Sequence, residues 1–500
     1  LSISHDRIGD VQRAQGNLTA ALESYQASLD IRRKLAALDT GNARWQHDLS
    51  ISHDRIGNVQ TAQGNLTAAL ESYQASLNIR RKLVAVDTGN AGWQRDLSIS
   101  YEKIGNVQTA QGNLIAALES YQASLDISRK LVALDTGNAG WQRDLSVSHS
   151  NIGDVQRAQG NLTAALESYQ ASLDISRKLV ALDTGNTGWQ RDLSVSHNNI
   201  GDVQTAQGNL TVALESYQAT LDILQKLAAV DTGNAGGQRD LSISHDRIGD
   251  VQLVQGNLIA ALESYQASLN IRRKLAAVDT GNARWQRDLS VSHNQIGDVQ
   301  RAQGNLTAAL KNYQVSLNVR QKLTALDTGN AGWQRDLSVS HSNIGDVQRA
   351  QGNLTAALES YQASLNIARK LAALDTGNAR WQHDLFVSHD RIGDVQRAQG
   401  NLTAALESYQ ASLDIVQKLA ALDIGNAGWQ RDLIVSFYKL AQIETSRGNK
   451  TQAITHYQAA LAISTKLLKH DRTNAVWANF KRVLHSAVVL LQKNKNKPRR

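Results

Sequence analysis

The phrase LSISHDRIGDVQRAQGNLTAALESYQASLDIRRKLAALDTGNARWQHD opens at Leu1, begins again at Leu49 and recurs every 48 residues. Ten copies start at Leu1, Leu49, Leu97, Leu145, Leu193, Leu241, Leu289, Leu337, Leu385 and Leu433, and the last is degenerate. Such a chain has no independent cores. One short unit is multiplied, and each copy must bury its apolar faces against its neighbours. The predicted architecture is therefore one array over residues 1–480, with 481–500 as an extension. The repetition also accounts for a composition with no Cys, no Met and a single Pro, Pro498. Without Cys there are no disulfides, no thiolate metal sites and no Cys nucleophile. Without Met, the sequence is expected to be a fragment or a processed product. No apolar run is long enough to span a membrane, and no signal peptide is visible. A cytoplasmic location is the corresponding expectation.

Each unit reads as two helices. Trp45, Leu49, Ile56 and Val59 form one apolar set at spacings near 3.6. Leu66, Ala69, Leu70, Tyr73, Leu77, Ile79, Leu83 and Val86 form a second. Between them stand Gly64, suited to leaving a helix in a left-handed conformation, and Asn65, suited to capping the next. The phrase DTGN at Asp87–Asn90 is expected to play the same part at the other end. Helix A is predicted over about 43–63 and helix B over about 66–86, each about 30 Å long. No alternating strand pattern occurs. The fold class is all-α.

Within each unit Ile8-Gly9, Gly16, Ala21, Tyr25 and Ser28 stand at the spacing of the tetratricopeptide motif. Gly16, Ala21 and Tyr25 recur in all ten copies, while Gly9 recurs in nine and becomes Ala441 in the last. The unit resembles a tetratricopeptide repeat over about 34 of its 48 residues. The resemblance implies a right-handed α-solenoid of helix-turn-helix repeats. His5 stands at the family's first Trp position, the proline after helix B is missing, and each helix is about two turns longer than usual. Such lengthened units resemble the tandem repeats of large bacterial regulatory proteins. Independently, a mid-helix Gly costs about 1 kcal/mol against Ala. Its recurrence predicts a close approach of helix B, with Ala21 opposite.

Several motifs with chemical readings have plainer ones. All 35 glycines fall in the two motif columns, the DTGN turn, position 44 of the unit and Gly237, so none is left for a phosphate-cradling loop. The column His5, His53, His149, His197, His245, His293, His341 and His389 is also occupied by Tyr101 and Phe437, which speaks for packing rather than metal binding. Ser4-His5-Asp6 has the composition of a catalytic trio, but neighbouring helical residues point about 100° apart and form no relay. Asn17-Leu-Thr and its copies match a glycosylation sequon, yet Asn113-Leu-Ile and Asn257-Leu-Ile keep the Asn without the Thr, as a helix cap would. The Trp column of Trp45, Trp93, Trp141, Trp189, Trp285, Trp333, Trp381, Trp429 and Trp477 reads as knobs between repeats. It is broken by Gly237, where a soft junction is expected.

The family resemblance implies peptide binding on a concave face formed by columns 3, 6, 10 and 13 of helix A. The corresponding candidates here are Asp54, Asn58, Glu102, Asn106, Asp154, Arg157, Asn198, Asp202, Asp246, Asp250, Asn294, Asp298, Arg301, Asp346, Arg349, Asp390, Asp394 and Arg397. Acidic residues prevail in columns 6 and 10, with Arg at intervals in column 13. The family's clamp for acidic C-termini needs Lys where Asp6 stands, so a peptide or protein partner of basic or mixed charge is expected.

The net charge of +8 does not belong to this face. Residues 433–500 hold 13 Lys and Arg against 2 acidic residues, leaving 40 against 43 before them. An apolar stripe of Trp477, Phe480, Leu484, Ala487, Val488 and Leu491 predicts a capping helix over 475–492, followed by a basic, disordered tail at 493–500. Leu1 begins inside helix A, so further chain is expected before it, and that uncapped end is a place for self-association of an otherwise monomeric array. The functional expectation is a non-catalytic scaffold without cofactor or metal, the repeat region of a larger regulatory or signalling protein. Nucleic-acid binding through the basic C-terminal end is the alternative, and is disfavoured by the charge of the array.

Overall fold

In the computed structural model, residues 1–470 and 474–493 are described, and they form helices joined by short turns with no strand among them. The chain divides into two compact bodies, Leu1–Gln255 and Gly256–Arg500. The first holds α1 (Ser2–Ala14), α2 (Leu18–Leu38), α3 (Ala43–Ala62), α4 (Leu66–Val86), α5 (Ala91–Ala110), α6 (Leu114–Leu134), α7 (Ala139–Ala158), α8 (Leu162–Leu182), α9 (Thr187–Ala206), α10 (Leu210–Val230) and α11 (Ala235–Val254). The second holds α12 (Leu258–Val278), α13 (Ala283–Ala302), α14 (Leu306–Leu326), α15 (Ala331–Ala350), α16 (Leu354–Leu374), α17 (Ala379–Ala398), α18 (Leu402–Leu422), α19 (Ala427–Ser446), α20 (Lys450–His470) and α21 (Ala475–Lys493). Odd-numbered helices are A helices and even-numbered ones B helices. The division falls inside the sixth repeat. No described helix is long and apolar enough to cross a membrane.

The turn from A to B is set by one glycine. Gly64 has φ +78°, and a Cβ there would meet nothing, so the backbone conformation rather than space demands the residue. The amide of Gly64 bonds the Thr61 carbonyl at 3.0 Å and that of Asn65 the Gln60 carbonyl at 2.8 Å, which closes the helix end. The DTGN turn is built differently from the sequence expectation. No left-handed glycine occurs there: helix B ends at an extended Asp, whose Oδ1 accepts from the glycine amide two residues on, as in Asp39 and Gly41 at 3.0 Å. Only the Asn acts as anticipated. Asn42 Oδ1 accepts from the Trp45 amide at 3.2 Å and caps the following A helix.

The mid-helix glycine answers to tyrosine rather than to Ala21. A Cβ on Gly9 would stand 2.6 Å from Tyr25 Cε1, and the same closeness recurs at Gly57, Gly105, Gly153 and Gly201. In the tenth repeat Ala441 takes this place, and Tyr457 lies edge-on to Tyr438 at 5.9 Å. The core is layered between the B helix of one repeat and the A helix of the next. Ala21, Tyr25 and Leu29 pack on Ile56 and Val59, and Ala165, Tyr169 and Leu173 on Ile200 and Val203. In the second body Ala309, Tyr313 and Leu317 pack on Ile344 and Val347. The end of that body is a cluster of Ile434, Ala441, Tyr457, Ala460, Trp477, Leu484 and Val488 from α19, α20 and α21. The basic tail expected at 493–500 lies, beyond Lys493, outside the described residues.

Candidate functional site

Column 10 of each A helix carries Asp or Asn until Gln442, and the tyrosine of the same repeat donates its hydroxyl to it. In the first body these bonds are Tyr25 to Asp10 at 2.6 Å, Tyr73 to Asn58 at 2.8 Å, Tyr121 to Asn106 at 2.6 Å, Tyr169 to Asp154 at 2.5 Å and Tyr217 to Asp202 at 2.7 Å. In the second they are Tyr313 to Asp298 at 2.5 Å, Tyr361 to Asp346 at 2.6 Å and Tyr409 to Asp394 at 2.7 Å. Burial pushes the Tyr25 hydroxyl up to about 12, helped by the Asp10 charge, so it remains a donor at any physiological pH. Burial alone would raise Asp10, but the bonds from Arg55 and Tyr25 outweigh it and hold its carboxyl below the usual range.

Cations from the adjoining repeats close on the same carboxylates. Asp202 receives Arg157 from the repeat before at 2.9 Å and Arg247 from the repeat after at 2.6 Å. Asp346 likewise sits between Arg301 at 3.3 Å and Arg391 at 3.2 Å. Asp394 takes Lys439 at 2.7 Å and Arg349 at 3.5 Å, and Arg397 reaches Gln442 at 2.7 Å. The result in each body is a run of tyrosine-bonded Asp or Asn along the A-helix face, a ladder tied across several repeat boundaries by Arg or Lys, as at Asp10, Asp202, Asp346 and Asp394.

Column 6 lies deeper. Asp54 is 5 % exposed and pairs with Arg80 of its own B helix at 2.8 Å and with Lys103 of the next repeat at 2.9 Å. Asp6 pairs with Arg32 at 2.7 Å in the same way. Asp246 and Asn294 are also buried. Asn294, with its amide turned to satisfy both neighbours, accepts from Arg320 at 2.9 Å and donates to Ser316 at 2.9 Å. Asp390, in whose repeat Val416 stands at the column that is Arg in Arg32 and Arg80, is held by Lys439 at 2.8 Å, yet burial still raises its carboxyl. Glu102 accepts from Ser124 and Ser148, both at 3.1 Å, and burial pushes it up. Asn198 lines a small cleft with Ser194, Thr220 and Leu224. Of the sequence-derived candidates, Asn106, Asp154, Asp250, Arg301, Arg349 and Arg397 are the more open ones, or lie at the edge of the face.

The Arg partners of column 32 were not anticipated from sequence, although a signal was present. Aligning the repeats on themselves places Arg32 with Asp6, Arg80 with Asp54 and Arg320 with Asn294, whereas Ser176 goes with Ser150 and Ala368 with Ser342. A second ladder was also missed: Arg95 to Asp144 and Arg143 to Asp192 at 2.5 Å, and in the other body Arg335 to Asp384 at 2.5 Å, tie the starts of successive A helices. The histidines of the packing column are half-buried, and burial lowers His53, His149, His197, His245, His341 and His389 toward the neutral form. Among the described residues no three His, Asp or Glu side chains gather as metal ligands would.

Residues 1–75 match the family model described as Tetratricopeptide repeat. No curated protein sequence matches the chain. Among solved structures, the apo form of RapI is 12% identical, with 84% of this chain and 99% of that one covered at a TM-score of 0.50. BtubC (BKLC) from P. vanneervenii is 17% identical, covering 53% and 92% at a TM-score of 0.41. The C-terminal part of a TPR repeat-containing protein from Cytophaga hutchinsonii is 14% identical, covering 66% and 97% at 0.37. The likeness to RapI is one of fold. The helix pair that the family model matches over residues 1–75 is the one repeated along the array, whose fold is that of tandem tetratricopeptide-like helix pairs.

Proposed function

We propose that this chain is a non-catalytic scaffold that holds a peptide or protein of basic or mixed charge on its A-helix face. Tetratricopeptide arrays are in general protein-interaction scaffolds, and that much follows from the family. The finer reading rests on one observation: the ladder presents an Asp, or Asn at Asn58 and Asn106, oriented by tyrosine hydroxyls and, at Asp10, Asp202, Asp346 and Asp394, by cations from neighbouring repeats. Asp202, Asp346 and Asp394 are each held by three donors. Groups fixed in this way lose little freedom on binding, which is the usual source of affinity on a polar surface. Because the carboxylates are largely neutralised from within, the face favours mixed charge over a strongly basic ligand. Asp154 and Asn106, with Arg301, Arg349 and Arg397 in the second body, are its accessible members. Asp54, Asp246 and Asn294 act from beneath, by holding the ladder in place.

A peptide library displayed against the full chain tests the reading. Enriched sequences should carry neutral or positive net charge, and Asp154→Arg should shift the enrichment toward acidic ones. Enrichment of acidic peptides by the unaltered chain, or none at all, overturns it. So does salt-dependent RNA or DNA binding that survives deletion of residues 493–500.

A further inference from the structure

The Trp column is interrupted once, at Gly237 on the first turn of α11. Nothing in the backbone requires a glycine there. Its φ is not left-handed, and a Cβ would meet only Asn234, at 3.5 Å, an ordinary contact. The residue is a deletion of a side chain from a place built to receive one. A cleft of about 380 Å³ opens at this position, lined by Leu224, Leu227, Ala228 and Val230 of α10, by Gly188 and Arg191 of α9, and by Gly237 itself. It lies wholly within the first body.

The other repeats show what the place takes. Among the earlier copies of Leu227 in this body, Leu83, Leu131 and Leu179, followed ten residues later by Trp93, Trp141 and Trp189, are buried to between 1 and 4 % exposure, while Leu35 of the first repeat, followed by Trp45, is half-buried. Leu227, followed by Gly237, is left half-buried. An apolar cavity on the order of 150 Å³ takes up benzene, so this cleft has room for an indole. Arg191 lies on its wall, paired with Asp240 at 2.6 Å, and supplies a planar cation beside the opening.

We propose that this cleft is a docking site for a tryptophan side chain of a partner polypeptide, which completes in trans the column that Gly237 breaks. The site is separate from the A-helix ladder and does not depend on it. The aromatic contributes apolar area, and its indole N–H remains toward the polar rim of Asp231 and Asn234.

The test uses the full chain and the probe N-acetyl-5-fluorotryptophan amide, followed by fluorine NMR. The wild-type chain should broaden the probe signal, N-acetyl-leucine amide should not compete, and Gly237→Trp should abolish the broadening by filling the cleft. The reciprocal variant Trp141→Gly should roughly double the bound fraction, because it uncovers Leu131 as Leu227 is uncovered. Circular dichroism on each variant separates lost binding from lost fold, and the Gly237→Trp arm stands alone if Trp141→Gly does not fold. Broadening that persists unchanged in Gly237→Trp, or no broadening at all, overturns the proposal. So does binding of 5-fluoroindole without binding of the amide, since the occupant is then a free small aromatic and not a side chain.

Discussion

Gly153 lies beneath the ring of Tyr169, so close that a methyl group on its α-carbon would stand 2.6 Å from Tyr169 Cε1. The ring has no room to retreat, being fully buried and bonded through its hydroxyl to Asp154. On propensity alone, Gly153→Ala gains about 1 kcal/mol in a helix. Overpacking in a dense core costs about 1–3 kcal/mol, and the overlap here is severe. The variant should therefore be net destabilised, by about 1–2 kcal/mol in chemical denaturation. Adding Tyr169→Leu to it should recover part of the loss. A more stable Gly153→Ala chain contradicts the packing argument.

The carboxylate of Asp202 is shared by Tyr217, Arg157 and Arg247, each from a different helix. Asp202→Asn keeps the shape and removes the charge, as Asn58 and Asn106 do naturally in the same column. The two arginines are more than a third exposed, so solvent screens much of the attraction. A loss of about 1 kcal/mol is expected, with a smaller difference at high salt. Equal stability of variant and wild type at low salt would show the ladder to be ornamental.

Burial lowers the histidines of the packing column below their ordinary value of 6.5. The folded chain then binds fewer protons than the unfolded one as the pH falls through this range. The stability they contribute is present above about pH 6.5 and lost as the pH drops through their lowered values. Denaturation midpoints measured from pH 8 to pH 5 should fall steeply below 6.5. His149→Tyr, which copies the residue at Tyr101, should make the fall shallower. A flat profile across this window refutes the assignment.

Glu102 works in the opposite direction. Burial raises its carboxyl above the ordinary 4.5, and Ser124 and Ser148 compensate only partly. A raised folded value means stability that is fully present below about pH 4.5 and lost as the pH rises through the folded value. Glu102→Gln should therefore stabilise the chain at pH 7, with the gain disappearing near pH 4.5. A destabilised glutamine variant at pH 7 would mean that the charge itself holds the site.

The two-helix repeat was legible because its signals are local. Asn42 and Gly64 mark helix ends through their own backbone preferences, and Trp45, Leu49, Ile56 and Val59 mark a buried stripe through spacing alone. The partner of Gly9 was misread as Ala21. Both residues lie on the facing helix four positions apart, and which one meets the glycine depends on the crossing of the helices, not on spacing. The binding stripe was legible as a row of columns but not in depth. Asp54 and Asn58 stand one turn apart, yet the first is buried against Arg80 and the second is half-exposed beside Tyr73.

The sequence by itself determined the period, the helices, the A-to-B turn at Gly64 and the need of each repeat to pack on the next, because repetition forces every unit to make the same local choices. What only the tertiary structure decided is where the charges go. Arg157 and Asp202 are 45 residues apart and Arg80 and Asp54 are 26 apart. They meet because packed helices bring different columns within reach, of one repeat for Arg80 and Asp54 and of successive repeats for Arg157 and Asp202, a register that no single helix encodes. The same stacking turns the absence of one side chain, at Gly237, into a cleft.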